Sequence, residues 1–412
     1  MKNKSVKHWI ILIIASFLTA SVIGVMVNAS GVFYTPIAEE WNELRGSVSM
    51  HGMFNLFSGA IASLFVAKVL RRYPFKALIF IGTLISSLAT LLMGLSTNVL
   101  MLNILATIRG AFSSIFGIVT INLIINNWFF KYKGVALSVA LSFSGIAGAI
   151  FAPVFTNLII YIGWQKSYFV MASVIFACSL PAILIPFKLN PREEGLLPYG
   201  YEEEKVKEVN AKAIKPAENF NIFQIKFILM FIFSLFISSI SAIAQHFPGY
   251  SVSISYTAAM GASMLSFAMY GNIMAKLLIG FLSDLKGPVF ATATMLIVNT
   301  FSLIIILLAP SSLYLLIGSI LFGSCYSVGA VGVSLLTSYY FGQENYQKIF
   351  PIVSFAGTSG NAIGLPIFGY IYDFTGSYTL VFLVSIIMNI FNVVIVIYIY
   401  NKKLKDDKIE LA

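Results

Sequence analysis

Two cationic side chains stand in stretches that are otherwise almost wholly apolar. Lys276 lies within "GNIMAKLLIGFLSD", residues 271–284, and Arg109 within "NILATIRGAFSSIFG", residues 103–117. Arg109 falls eleven residues after Asn98, ~16 Å along a helix, and Lys276 eight residues before Asp284, ~12 Å. Placing either charge at such depth in hydrocarbon costs about 2.5–3.5 kcal/mol. The 16 acidic residues cluster near segment ends, in a central polar stretch and in the tail, so no carboxylate is expected at that depth. A bound anion would neutralise these cations, and lysine, a compact point charge, suits a small one. Two structural alternatives stand beside this reading. Lys276 can snorkel along its own stem toward the headgroups, and Arg109 can bond helix carbonyls, Asn103 or Asn122.

Other polar residues extend the candidate set. Asn272 is one helical turn from Lys276 on the same face. Tyr270 and Tyr326 offer phenol donors for a cavity wall, and Asn28 and Asn361 offer amides at similar depth. His51 and His246 fall near segment ends and read as surface histidines able to titrate near neutral pH. The two cysteines, Cys178 and Cys325, sit inside apolar runs and suggest neither disulfide nor metal site. No His/Cys cluster at metal spacing and no phosphate-cradling glycine loop occurs, so neither cofactor nor enzymatic chemistry is expected.

The elements that position these residues follow from composition. Of 412 residues, 58% are hydrophobic and only 10% charged, against about 25% charged in a soluble domain. Runs of ~20 apolar residues, the length of a membrane-crossing helix, can be drawn twelve times: 9–33, 47–69, 76–95, 99–127, 134–160, 166–187, 223–247, 256–282, 289–308, 312–338, 349–372 and 378–400. The expected class is therefore an all-α membrane protein, with the lipid bilayer as solvent. The first segment outruns a secretory h-region and reads as an uncleaved helix. The division predicted is a six-helix bundle over 1–187, a linker over 188–222, a second six-helix bundle over 223–400 and a tail over 401–412.

Lys and Arg fall in alternate connections: the start of the chain, the second and fourth loops, the linker, two later loops and the tail. The intervening connections hold only Arg45 and Lys166. The positive-inside rule then places both termini and the linker in the cytoplasm, at the cell membrane. It also accounts for the net charge of +10 without any nucleic-acid partner. The halves repeat: Gly145, Gly148, Pro153 and Gly163 recur as Gly357, Gly360, Pro366 and Gly376, 212 or 213 residues on.

Five motifs in order, "GVFYTPIAEEW", "NWFFKYKGVALSVALSFSGIAGAIFAP", "NPREEGLLPYG", "GFLSDLKG" and "FGQENYQKIFPIVSFAGTSGNAIGLPIFGYIYDFTGSY", resemble the major facilitator superfamily. More narrowly, they resemble its oxalate–formate antiporter and monocarboxylate transporter branch. The resemblance implies two pseudo-symmetric six-helix bundles, an extended first helix, and alternating access around a midplane site. It implies a monocarboxylate cargo such as formate, lactate or pyruvate, carried by a monomer. In related transporters an arginine at the position of Lys276 touches the substrate carboxylate, and the loop motif carries a gating contact, here Gly280 and Asp284. Three departures modify the expectation. Arg71 replaces the aspartate of the first-half loop motif, leaving that gate to the second half. Asn272 replaces the carboxylate of proton-coupled relatives, which favours exchange over proton symport. No Lys or Arg lies between Ile349 and Tyr372, which weighs against oxalate. The alternatives are a proton-coupled multidrug exporter, whose cationic cargo would want a deep acid, and a non-transporting membrane sensor, for which linker and tail are short.

Overall fold

A computed structural model describes residues 2–130, 132–201 and 224–410. Eleven continuous helices are long and apolar enough to cross a membrane. One of them, Val135–Leu184, is broken where Gly163 adopts φ 83 and ψ 161, a conformation open to glycine and strained for other residues. Twelve spans result: α1 Val6–Trp41, α2 Arg45–Val66, α3 Phe75–Met93, α4 Val99–Trp128, α5 135–162, α6 164–184, α7 Ile225–Ser253, α8 Ala258–Lys286, α9 Pro288–Leu307, α10 Ser312–Gly342, α11 Lys348–Thr375 and α12 Thr379–Asn401. Helices satisfy their own backbone groups, the condition for crossing hydrocarbon. Their outer faces carry large exposed apolar residues such as Leu64, Leu100 and Ile160.

The described chain divides into two compact units, Met1–Glu43 with Ser47–Ala213, and Leu44–Gly46 with Ile214–Ala412. Residues 202–222 of the expected linker lie outside the described residues. Residues 188–201 fold back on the end of the first unit that carries the amino terminus. Trp128 Nε1 donates to Lys188 O at 3.0 Å, Tyr199 N to Trp128 O at 2.8 Å and His8 Nε2 to Leu197 O at 2.9 Å, while Lys7 pairs with Glu194. Lys76 caps the end of α6, donating to the carbonyls of Ile183 and Ile185.

The backbone repeats as the sequence does. Just past the first and seventh spans stand Asn42 and Ser255, both left-handed (φ 52 and 67) and 213 residues apart. Gly163 and Gly376, also 213 apart, both have positive φ. A 3₁₀ turn at Ser30–Phe33 in α1 recurs at Ala242–His246 in α7. Non-α turns are confined to four of the described spans: α1 (π over Ala20–Asn28, then 3₁₀), α4 (3₁₀ over Ser114–Phe116), α7, and α10 (π over Val328–Gly332). These are the first and fourth spans of each half. The first span is longer than its apolar run, because Tyr34–Trp41 continues as helix beyond Phe33.

Candidate functional site

In the first unit, Arg109 is 1% exposed and lies between α4 and α2. The approach depends on Gly110: a Cβ there would fall 2.1 Å from Asn55 O and 2.3 Å from Ser58 Oγ. Gly59 completes the close crossing, its own Cβ position being 3.2 Å from Gly110 O. Arg109 Nε therefore reaches Asn55 Oδ1 at 2.9 Å, and the arginine's own carbonyl accepts from Ser86 Oγ of α3 at 3.3 Å. Its Nη1 is buried without a hydrogen-bond partner among the described residues. Neither amide suggested by sequence holds the guanidinium: Asn122 donates to Ile118 O, and Asn103 Oδ1 has no partner.

Three further side chains surround Arg109 within electrostatic reach: Tyr34 of α1, His51 of α2 and Tyr168 of α6. All are buried, His51 completely. The Tyr34 ring meets His51 edge-on at 5.2 Å between centroids, and Phe33 stacks on Tyr168 at 4.2 Å. His51 Nδ1 donates to Val48 O at 2.5 Å, so Nε2 is the remaining ring position; it and Tyr168 Oη are both buried without a partner. The expectation of surface histidines is thus corrected. His51 faces the unit's interior, and His246 is 3% exposed, donating from Nε2 to Leu365 O at 2.8 Å. Both lie within helix-packing faces, which distance from a segment end does not reveal.

In the second unit, α8 buries Asn272, Ala275 and Ile279 and exposes Met274 (65%), Leu277 (70%) and Phe281 (60%). Lys276 is half-buried on the side of Asn272 and Ile279, away from that exposed stripe. Among the described residues no hydrogen bond or ion pair holds its ammonium, and no charged group acts on it. One turn earlier, Asn272 is 3% exposed with Oδ1 unpartnered. Close contact with α10 holds this segment, since a Cβ on Gly271 would fall 1.8 Å from Ile320 O. Tyr270 does not join Lys276; it is 49% exposed, on the stripe of Met274 and Phe281, with its ring edge-on to Phe267.

Tyr326 and Asn361 do come together, on Ser241 of α7. Tyr326 Oη donates to Ser241 O at 3.4 Å, and Asn361 Nδ2 donates to Ser241 Oγ at 2.7 Å and Ser238 O at 3.3 Å. Ser241 immediately precedes the 3₁₀ turn of α7, and Tyr326 nearly abuts the π turn of α10. Asn28, at the end of the α1 π stretch, donates to Ser144 O of α5 at 3.1 Å. It secures the α1–α5 crossing, where Gly24 packs on Ala147. Asp284 is exposed and has no ion pair among the described residues, and a Cβ on Gly280 would meet nothing within 4 Å. Gly287, closing the same motif, has φ 86 and marks the turn into α9.

Sequence reasoning missed Asn55, Tyr34 and Tyr168 as companions of Arg109. A signal was present in α2, where His51, Asn55 and Gly59 recur every four residues along one helical face.

The geometry can be set beside known proteins. The chain is 22% identical over 409 residues to an uncharacterised MFS-type transporter, YcxA of Bacillus subtilis (strain 168), covering 94% of each chain. It is 27% identical over 199 residues to the MFS-type transporter pytF of Aspergillus terreus, covering 46% of this chain and 64% of that protein. Its fold matches a crystal structure of a mutant of the nucleoside transporter NupG with a TM-score of 0.68 at 14% identity, over 95% of this chain and 98% of that one. The family model described as Major Facilitator Superfamily matches residues 12–309 and 227–410. Twelve spans, an internal six-helix repeat and a family match running through both halves lead to one conclusion: the chain is a multi-pass membrane transporter belonging to the major facilitator superfamily.

Proposed function

We propose that this transporter carries a small organic anion, a monocarboxylate such as formate, lactate or pyruvate, across the cell membrane by alternating access, and that it works by exchange as a monomer with both termini in the cytoplasm. One observation carries the reading: Arg109 and Lys276 both lie deep in their spans, and neither meets an acidic side chain among the described residues. An unneutralised buried charge is costly, so a state loaded with an anion is favoured over an empty one, and cargo is more readily swapped than released without replacement. In the second unit, Lys276 binds the carboxylate and Asn272 orients it. Gly280 and Asp284 are proposed to belong to the gating loop, while Tyr270, on the exposed stripe, is left out of the proposed site.

The test is a thermal-shift screen of carboxylates, nucleosides and cationic drugs on the purified protein, since a ligand raises stability with its occupancy. Monocarboxylates should raise the melting temperature in a concentration-dependent way. Stabilisation by cationic drugs or nucleosides alone would refute the anion reading.

A further inference from the structure

Resting on the anion reading above, we infer that the buried set Arg109, His51 and Tyr168 of the first unit is a binding site that takes up a carboxylate together with one proton, the proton residing on His51. Three buried polar atoms carry the argument: Arg109 Nη1, His51 Nε2 and Tyr168 Oη, none with a hydrogen-bond partner among the described residues. They come from α4, α2 and α6, and packing links them: Asn55, one turn from His51 on α2, holds Arg109, while the neighbours Tyr34 and Phe33 meet His51 and Tyr168. Buried polar groups in native proteins nearly always have a polar partner, a ligand or an ordered water, and these three donors and acceptors offer a ligand its contacts. Arg109 is the fixed centre because Asn55 holds its Nε at 2.9 Å, which leaves the Nη1 edge to a ligand.

The occupant's chemistry follows from donors and acceptors. Arg109 Nη1 only donates, and the Tyr168 hydroxyl can donate, so both suit carboxylate oxygens. His51 already gives its Nδ1 proton to Val48 O, so in the neutral ring Nε2 is an acceptor and would face a carboxylate lone pair to lone pair. Protonated at Nε2, the ring becomes a second donor and completes the cradle. Among the described residues, the titratable and charged groups that act on His51 and Arg109 are Tyr34 of α1, Arg109 of α4 and Tyr168 of α6, and none is a carboxyl group. Without an anion, an imidazolium would face the guanidinium unrelieved. An entering anion screens the two cations from each other and makes the proton favourable. One proton from solvent adds to Nε2 as one anion binds, and both leave together. Exchange through such a site swaps one anion–proton pair for another.

The experiment uses the full-length purified protein in nanodiscs and two probes, pyruvate, which lacks a hydroxyl donor, and lactate, which has one. Binding is measured calorimetrically from pH 5.5 to 7.5, together with proton uptake from buffers of different ionisation enthalpy. The expected result is that pyruvate affinity rises about tenfold per unit fall in pH, with one proton taken up per anion. In His51→Gln the slope disappears. In Tyr168→Phe affinity falls severalfold while the slope remains. Melting temperature without ligand confirms that each variant is folded. Pyruvate affinity independent of pH in the wild type, or a slope that survives in His51→Gln, overturns the inference while leaving the anion reading intact. So does pH-independent binding confined to lactate, which would assign donation to the ligand's hydroxyl and leave His51 neutral. If no carboxylate binds at any pH, both readings fall.

Discussion

Replacing Lys276 with Met separates a ligand-binding cation from a structural one by the sign of its effect on stability. The substitution keeps the length of the stem and removes the charge. Breaking a buried ion pair costs about 3–5 kcal/mol, because the surviving partner is left bare. Lys276 has no such partner among the described residues, and its helix face also carries buried Ala275 and Ile279. Removing the ammonium therefore relieves a burial cost of up to about 2.5–3.5 kcal/mol, and the ligand-free protein should unfold no earlier than the wild type. Carboxylate binding should weaken by the worth of one charge-assisted hydrogen bond, about 1.5–3 kcal/mol, or roughly ten- to 150-fold in affinity. The assay pairs denaturant unfolding in detergent micelles with uptake of labelled carboxylate into proteoliposomes. A mutant markedly less stable than wild type, with unchanged uptake, would show that Lys276 holds the fold together and would sink the argument.

Gly110→Ala should lower stability by about 1–3 kcal/mol, read as a fall in melting temperature, because its methyl would overlap the backbone of Asn55. Within the loop motif two glycines should behave oppositely. Gly280→Ala, facing open space within a helix, should be neutral or stabilising by up to about 1 kcal/mol, while Gly287→Ala, at φ 86, should destabilise by about 1–2 kcal/mol in the same melt. Asn28→Leu should reduce stability by about 1 kcal/mol, through loss of its bond to Ser144 O, with carboxylate affinity unchanged in the thermal-shift titration.

The spans were legible because a membrane imposes length and apolarity on contiguous residues, and the twelve apolar runs overlap the twelve helices. Arg109 and Lys276 were legible for the same reason, since a charge stands out against hydrocarbon. What surrounds Arg109 was not. The bond to Asn55 joins residues 54 apart in sequence and exists because Gly110 and Gly59 let two helices touch, a matter of relative rotation that no local pattern fixes. The rotation of each helix about its own axis likewise turned His51 of α2 inward and Tyr270 of α8 outward. The non-α turns were also hidden, since "ASVIGVMVN" has nothing in its composition to distinguish a π stretch from an α-helix. Asn28 and Asn361 were found at about the right depth, but their amides are spent on neighbouring helices.

The π and 3₁₀ turns of α1, α4, α7 and α10 bear on how such a protein moves. A regular helix resists bending because each bend forfeits a rung of its carbonyl-to-amide ladder. In these four spans the rungs are already shifted, at Ala20–Asn28, Ser114–Phe116, Ala242–His246 and Val328–Gly332. Flexure concentrates where the ladder has least to lose, so the first and fourth spans of each half join the proline-bearing α5, α6 and α11 as places of give. How far a six-helix unit can deform without unravelling then depends on these shifted rungs as well as on its loops.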